Sequence, residues 1–218
     1  MLPAEGFQRT LLKLVAVLDR SRIRFHLTGG ITSVAYGEPR MTQDLDLVLD
    51  RDRILSVEKE FLSALPAAGF YFVEETAHEA IESRGMFQLL DIDQAIKLDL
   101  YVRCLIPGEL DRSVRTELFP GVILPIVART DAALSKLIWI EHGSHRSRRD
   151  LRRILAGATP DERSTVQRVA REQREPRVVD RRDGHVDVER VVRVRAMHEE
   201  RVERTRDGRR GEHELGGA

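Results

Sequence analysis

The sequence predicts an α/β (α+β) fold, a mixed sheet flanked by helices with a small helical region after it. Three observations lead there. Segments with apolar residues at helical spacing alternate with short runs of period two, the pattern of helices packed on a sheet. Two glycines, Gly29 and Gly30, stand where a strand-like run meets a helix-like one. All the aromatic residues lie at or before Trp139, so the core-forming part of the 218-residue chain comes first.

The elements follow in order. Between Phe7 and Arg20 the apolar positions 7, 11, 12, 14, 15, 17 and 18 make one helical stripe opposite Arg9, Lys13 and Arg20. Residues 23–28 alternate Ile23 and Phe25 with Arg24 and His26, a strand that ends on the glycine pair. A short helix over 31–36 is stopped by Gly37 and Pro39. A second strand is expected at 45–49, a helix at 50–64 and a short strand at 71–74. Strands at 86–92 and 95–102 are joined by Asp93-Gln94, a plausible hairpin turn. Beyond a stretch punctuated by Pro107, Gly108, Pro120 and Gly121, a strand at 122–127 leads into a helix at 130–141. Thr130 suits its N-cap, and Asp131 suits the positive end of its dipole. Helices at 147–155 and 161–172 follow.

This reading divides the chain into a core at 1–128, a helical region at 129–173 and a charged tail at 174–218. In the tail 23 of 45 residues are Asp, Glu or Arg, and Leu215 is the only leucine. Such a segment buries too little apolar surface to offset its ordering entropy and is expected to be disordered.

Lys plus Arg is 36 and Asp plus Glu is 36, a net charge of zero. That balance argues against a protein held to nucleic acid or to an anionic membrane by bulk charge. Cys104 is the single cysteine, so no internal disulfide forms, and it reads as a small buried hydrophobe. Apolar runs fall far short of the roughly 20 residues that cross a bilayer. The first residues lack the basic and apolar regions of a signal peptide. A cytoplasmic protein without a membrane partner is the expectation.

The chemistry concentrates in residues 25–49. A strand runs into Gly29 and Gly30, where the chain permits close backbone approach and a helix start presents unpaired N–H groups to an anion. The chain returns as a strand carrying Asp44 and Asp46, which period-two geometry puts on one face, with Leu45, Leu47 and Leu49 on the other. Neighbouring carboxylates repel unless a cation lies between them, and hard oxygen ligands with room for phosphates suit Mg²⁺. A further strand places Lys97, Asp99 and Tyr101 on one face; if it pairs beside the first, Asp99 becomes a third carboxylate in the cluster. Three acids facing a phosphate cradle are what two-metal phosphoryl or nucleotidyl transfer needs. Lys97 and Lys136 read equally as solvated residues and as phosphate contacts. Arg40 suits a phosphate or the neutralisation of Asp44. His26 reads as structural.

Gly-Gly, a spacer, Asp-X-Asp and a separate strand aspartate resemble the signature of the polymerase-β-like nucleotidyltransferase superfamily. The stretch Pro39-Arg40-Met41-Thr42-Gln43-Asp44-Leu45-Asp46 is closer still to bacterial AbiEii-type nucleotidyltransferases and their relatives in toxin–antitoxin systems. Residues 130–139 and the Arg149-Asp150 pair resemble that family's helical segment. The resemblance covers residues 20–172. It implies transfer of an NMP from an NTP to an acceptor hydroxyl, with Asp44, Asp46 and Asp99 as catalytic and metal residues. Two Mg²⁺ ions, or Mn²⁺, would serve as cofactor. Gly29, Gly30, Ser33, Arg40 and Lys136 are the implied nucleotide contacts. The acceptor is left open among tRNA, a protein hydroxyl and a small molecule, and a cognate antitoxin is an implied partner. Gly30 stands where the superfamily has serine, and whether Thr28, Thr32 or Ser33 supplies the missing hydroxyl is also open. The rivals are an Asp-X-Asp glycosyltransferase and an inactive regulatory protein of the same fold.

Overall fold

Leucines at every second position of the central strands decide the layout. The computed structural model of the chain describes residues 4–36 and 44–174, and the expected tail at 174–218 lies outside them except for Arg174, which ends the last helix. The described residues run α1 (Ala4–Arg20), β1 (Phe25–Thr28), α2 (Gly29–Ala35), β2 (Asp44–Leu49), α3 (Arg51–Ala67), β3 (Phe70–Tyr71) and α4 (Glu74–Ser83). They continue with β4 (Met86–Asp91), β5 (Ile96–Tyr101), β6 (Val114–Phe119), β7 (Val122–Ile126), α5 (Arg129–Glu141), α6 (His145–Ala156) and α7 (Pro160–Arg174). The strands form one seven-stranded sheet in the order β3-β4-β5-β2-β1-β7-β6. Its β2–β5 and β1–β7 pairs are parallel and the others antiparallel, the mixed sheet the sequence predicts.

One face of this sheet is dry. Leu27, Leu45, Leu47, Phe87, Leu89, Leu98 and Leu100 are buried there with Leu11, Leu14 and Leu18 of α1, Ile54, Phe61 and Leu65 of α3 and Ile81 of α4. Asp91 shares the parity of Phe87 and Leu89 and so points into this core. Thr10 Oγ1 donates to it at 2.6 Å and Lys13 Nζ at 2.8 Å, which pins α1 to the β4–β5 hairpin. Burial alone would raise the Asp91 carboxyl, but the Lys13 and Thr10 hydrogen bonds and the Lys13 charge hold it below the ordinary range. A second apolar cluster joins Ile106 and Val127 to Ala132, Ala133 and Leu134 of α5, Ile154 of α6 and Val166 of α7. Tyr36, just past α2, ties it to the sheet: its hydroxyl donates to Val127 O at 2.7 Å, and Arg129 lies 4.4 Å over its ring.

Three expectations are corrected and two unassigned stretches gain structure. The strand expected at 71–74 is Phe70–Tyr71, and Glu74–Ser83, left unassigned by the sequence, form a helix. Its stripe, Ala77, Ala80 and Ile81, is mostly alanine and gives a faint apolar period, while Glu74 and Glu75 suit a helix start. Residues 114–119 form an edge strand closed by a turn at Gly121, where φ is +74°. An edge strand buries little, so its pattern is weak. The N-cap of α5 is Ala128, not Thr130, and its methyl side chain has no acceptor for a cap bond; Asp131 in the first turn pairs with Arg112 at 2.9 Å. Cys104 is exposed in the loop after β5, not buried.

That loop also seals His26 under the sheet's second face. Ser113 Oγ donates to Leu110 O at 2.8 Å, so it accepts from His26 Nδ1–H, also at 2.8 Å. The network thus assigns the tautomer. Nε2 is left without a hydrogen-bond partner, 3.7 Å from Glu109 Oε2. Burial pushes the imidazole down to about 4, so it is neutral near pH 7, and burial raises Glu109. Because the folded pKa of His26 lies below its ordinary 6.5, the unfolded chain binds more protons in the window between 6.5 and about 4. Stability therefore falls as pH drops through that window, by on the order of 2 kcal/mol. Glu109, shifted the other way, returns part of the loss. Urea unfolding at pH 7 and pH 4.5 should show this acid loss, and His26→Gln should flatten it.

Candidate active site

The sheet's second face is polar because the same alternation that buries the leucines turns their neighbours outward. Across four strands the register aligns one row: Gln88 opposite Asp99, Asp99 opposite Asp46, and Asp46 opposite Thr28. One step along, Lys97 faces Asp44. The parallel pairing of β2 and β5 thus makes Asp99 a direct cross-strand neighbour of Asp46.

Asp46 is the most perturbed acid of the group. Burial pushes its carboxyl up to about 6, the charges of Asp44 and Asp99 add to the rise, and the Gly30 N–H bond and the Lys136 charge oppose it. The first residue of α2 makes room for it. Gly29 has φ +66°, and a Cβ there would overlap the Asp46 carboxylate, so glycine is required both by backbone and by contact. Tyr101 Oη donates to Asp46 Oδ1 at 3.5 Å, the outer limit of a hydrogen bond. Burial, then the charges of Asp46 and Asp99, raises the Tyr101 phenol well above its usual value.

Asp99 is held from one side. Gln88 Nε2 donates to its Oδ1 at 3.0 Å, and Lys97 Nζ lies 3.5 Å from the same oxygen. Both partners come from the β4–β5 hairpin. Both of these contacts fall on Oδ1.

A cleft of about 570 Å³ opens in front of Asp44 and Asp46. Thr28, Gly29, Gly30 and Tyr101 line the sheet side; Arg103, Leu105 and Glu109 come from the following loop; Lys136, Trp139, Arg146 and Asp150 form the helical side. Lys136 is nearly buried, and its Nζ pairs with Asp150 Oδ2 at 3.1 Å. That ion pair packs α5 against α6 and aims both residues into the cleft.

Of the expected residues, Gly29, Gly30, Asp44, Asp46 and Lys136 come together on the cleft wall. Asp99 lies beside Asp46 on the neighbouring strand but is not among the residues that line the cleft, and Ser33 belongs to α2. Arg40 lies outside the described residues. Among the hydroxyls, Thr28 lines the cleft, whereas Thr32 Oγ1 is buried and donates to Gly29 O at 2.9 Å. Sequence reasoning missed Gln88, Arg103, Glu109 and Trp139. For Gln88 a signal existed, since the Asp93-Gln94 turn fixes which residue lies across from Asp99.

The donor chemistry fits a hard divalent cation. Three carboxylates stand on two strands, and the Asp46 carboxyl is raised by burial and by the charges of Asp44 and Asp99, both of which a cation would offset. Among the described residues no three His, Cys, Asp or Glu side chains already converge closely enough to hold an ion alone.

Comparison with known proteins places this geometry. The sequence profile described as "Nucleotidyl transferase AbiEii toxin, Type IV TA system" matches residues 11–208, further in both directions than the motifs at 20–172. No curated protein matches the sequence. The solution structure of the antibiotic-resistance factor ANT(2'')-Ia aligns with a TM-score of 0.53 at 14% identity, over 77% of this chain and 92% of that one. The crystal structure of ANT(2'')-Ia in complex with adenylyl-2''-tobramycin also gives 0.53, at 15% identity, over 77% of this chain and 98% of that one. The lincomycin-bound lincosamide antibiotic adenylyltransferase LnuA aligns more loosely, at 0.48 and 12% identity, over 72% of this chain and 99% of that one. Among the described residues no helix is long and apolar enough to cross a membrane.

The contact between Gly29 and Asp46 generates a test. Gly29→Ala combines a left-handed backbone cost of about 1–2 kcal/mol with displacement of the Asp46 carboxylate. Thermal unfolding should show a loss of several degrees.

Proposed function

This chain belongs to the AbiEii nucleotidyl transferase family, and from that premise we propose that it moves an NMP from an NTP to an acceptor hydroxyl at the Asp44–Asp46–Asp99 face. The observation that supports it best is the cross-strand pairing of Asp46 with Asp99 beside a cleft lined by Gly29, Gly30 and Lys136.

In this reading the acceptor oxygen attacks the α-phosphorus of the NTP. A new P–O bond forms, the bond to the bridging oxygen breaks, and pyrophosphate leaves with the electron pair. Asp99 orients the acceptor hydroxyl and takes its proton. Gln88 and Lys97 occupy Oδ1, so Oδ2 is the oxygen that meets the hydroxyl. Gly29 and Gly30 flank the triphosphate, with Ser33 and Arg40 as further proposed contacts. Lys136, steadied by Asp150, offsets its negative charge. Asp44, Asp46 and Asp99 would hold Mg²⁺, as two ions or with Mn²⁺ in their place. When bound, the metal neutralises phosphate charge and lowers the cost of bringing an oxygen nucleophile to phosphorus. The protein's own part is positioning and fixed electrostatics, without covalent chemistry. A glycosyltransferase would not need the glycine-opened helix or the third strand carboxylate, and nothing in the cleft favours it.

The family's description as a toxin leads us to propose the same role here, with a cognate antitoxin as partner and RNA, a protein or a small molecule as acceptor. Incubating the protein with labelled NTPs and fractions of RNA, protein and small metabolites shows which fraction takes up label. Label in none of them, across all four NTPs, would overturn transfer.

Two variants give quantitative expectations. Asp46→Asn should lower transfer more than 100-fold while the melting temperature holds or rises, because a repelled, desolvated charge is removed. Gln88→Leu should lower kcat about tenfold with little change in KM for the NTP, since it loosens Asp99 and leaves the nucleotide contacts alone. Steady-state kinetics with calorimetric melting reads both.

A further inference from the structure

We propose that Trp139 is the platform on which the base of the bound NTP stacks. The inference rests on the nucleotidyl-transfer reading and adds the part of the substrate that reading leaves unplaced. Carboxylates, glycines and a lysine account for a triphosphate and a reacting hydroxyl, but none of them recognises a flat heterocycle.

Trp139 is the only tryptophan of the chain. It lines the cleft and is 41% exposed. A large ring left in contact with water inside a concave, mostly polar site invites a flat partner. The other aromatic on the cleft wall, Tyr101, is half-buried and directs its hydroxyl at Asp46. Val48 is buried, and Leu105 offers no flat surface. The indole is therefore the one broad apolar face that the cleft, among the described residues, presents to a ligand.

Its position suits a base. Lys136 and Trp139 are three residues apart on α5, so they share a helix face about 4.5 Å apart along the axis. Lys136 is close enough to Asp46 for its charge to act on that carboxyl. A nucleotide whose phosphates lie between Lys136 and the sheet therefore meets Trp139 one helical turn further on. His142 stands at right angles to the indole with ring centroids 6.1 Å apart, which braces the ring from one side. Stacking of a base on an aromatic ring tolerates any base, so Trp139 contributes affinity for nucleosides in general and little discrimination among them.

Because the chain has a single tryptophan, its intrinsic fluorescence reads this contact directly. The full-length protein is titrated in Mg²⁺ buffer with a non-hydrolysable NTP and, separately, with inorganic triphosphate, and both bindings are followed in parallel by calorimetry. Saturable quenching by the NTP but not by triphosphate is expected. In Trp139→Ala the Kd for the NTP should rise about tenfold while that for triphosphate stays unchanged, and Trp139→Phe should retain most of the affinity. NTP binding in calorimetry without any fluorescence change, or equal NTP affinity in Trp139→Ala, overturns the stacking role and leaves nucleotidyl transfer standing. No NTP binding to the wild-type protein overturns both. If Trp139→Ala does not fold, the wild-type fluorescence alone decides.

Discussion

The pairing of β2 with β5 in parallel, Asp46 opposite Asp99, is the constraint on which the rest of the molecule depends. It puts carboxylates side by side on a partly buried face, an arrangement that opposes folding unless the surroundings compensate. The compensation is visible residue by residue. Gln88 and Lys97 engage Asp99, the Gly30 N–H engages Asp46, and the Lys136 charge reaches Asp46 from α5. These contacts do not fully offset burial and the charges of Asp44 and Asp99, since the Asp46 carboxyl remains raised. A cation between the carboxylates would relieve what remains.

Such a face persists because the opposite side of the same strands is among the driest parts of the fold. Leu45, Leu47, Leu98 and Leu100 are at most 1% exposed and alternate with Asp46 and Asp99 along the same two strands. Each fully buried leucine contributes roughly 1.5–3 kcal/mol relative to exposure. The four together outweigh the cost of crowding the acids. A one-residue slip of either strand would bury the carboxylates and expose the leucines, so the hydrophobic pattern fixes the register that the chemistry requires.

Much of this was legible in the sequence, for one physical reason: period-two alternation is local. It placed Asp44 with Asp46 and Lys97 with Asp99 on shared faces without any knowledge of partners. The hairpin around Asp93-Gln94 was legible too, and with it, in principle, the Gln88–Asp99 contact. Which strand lies beside β2 was not, because a parallel neighbour some fifty residues away leaves no local mark; only the family likeness pointed to it. The helix α4 escaped because alanines carry a weak stripe, and β6 because an edge strand need not alternate. Trp139 carried no such signal, because nothing local in the sequence says that its side chain lines a cleft and stays 41% exposed.

The cleft thus has walls of different origin. The sheet wall is rigid, held by strand pairing and by the larger apolar core, while the helical wall rests on a smaller cluster of mostly alanine, valine and isoleucine side chains. Tyr36, whose hydroxyl reaches Val127 O and whose ring carries Arg129, helps to join the walls, as does the Arg112–Asp131 pair. Small apolar contacts, a cation–π pair and an ion pair oppose sliding less than a seven-stranded sheet does. Lys136 and Trp139 therefore sit on the less strongly held wall of the cleft, and Asp44 and Asp46 on the more strongly held one.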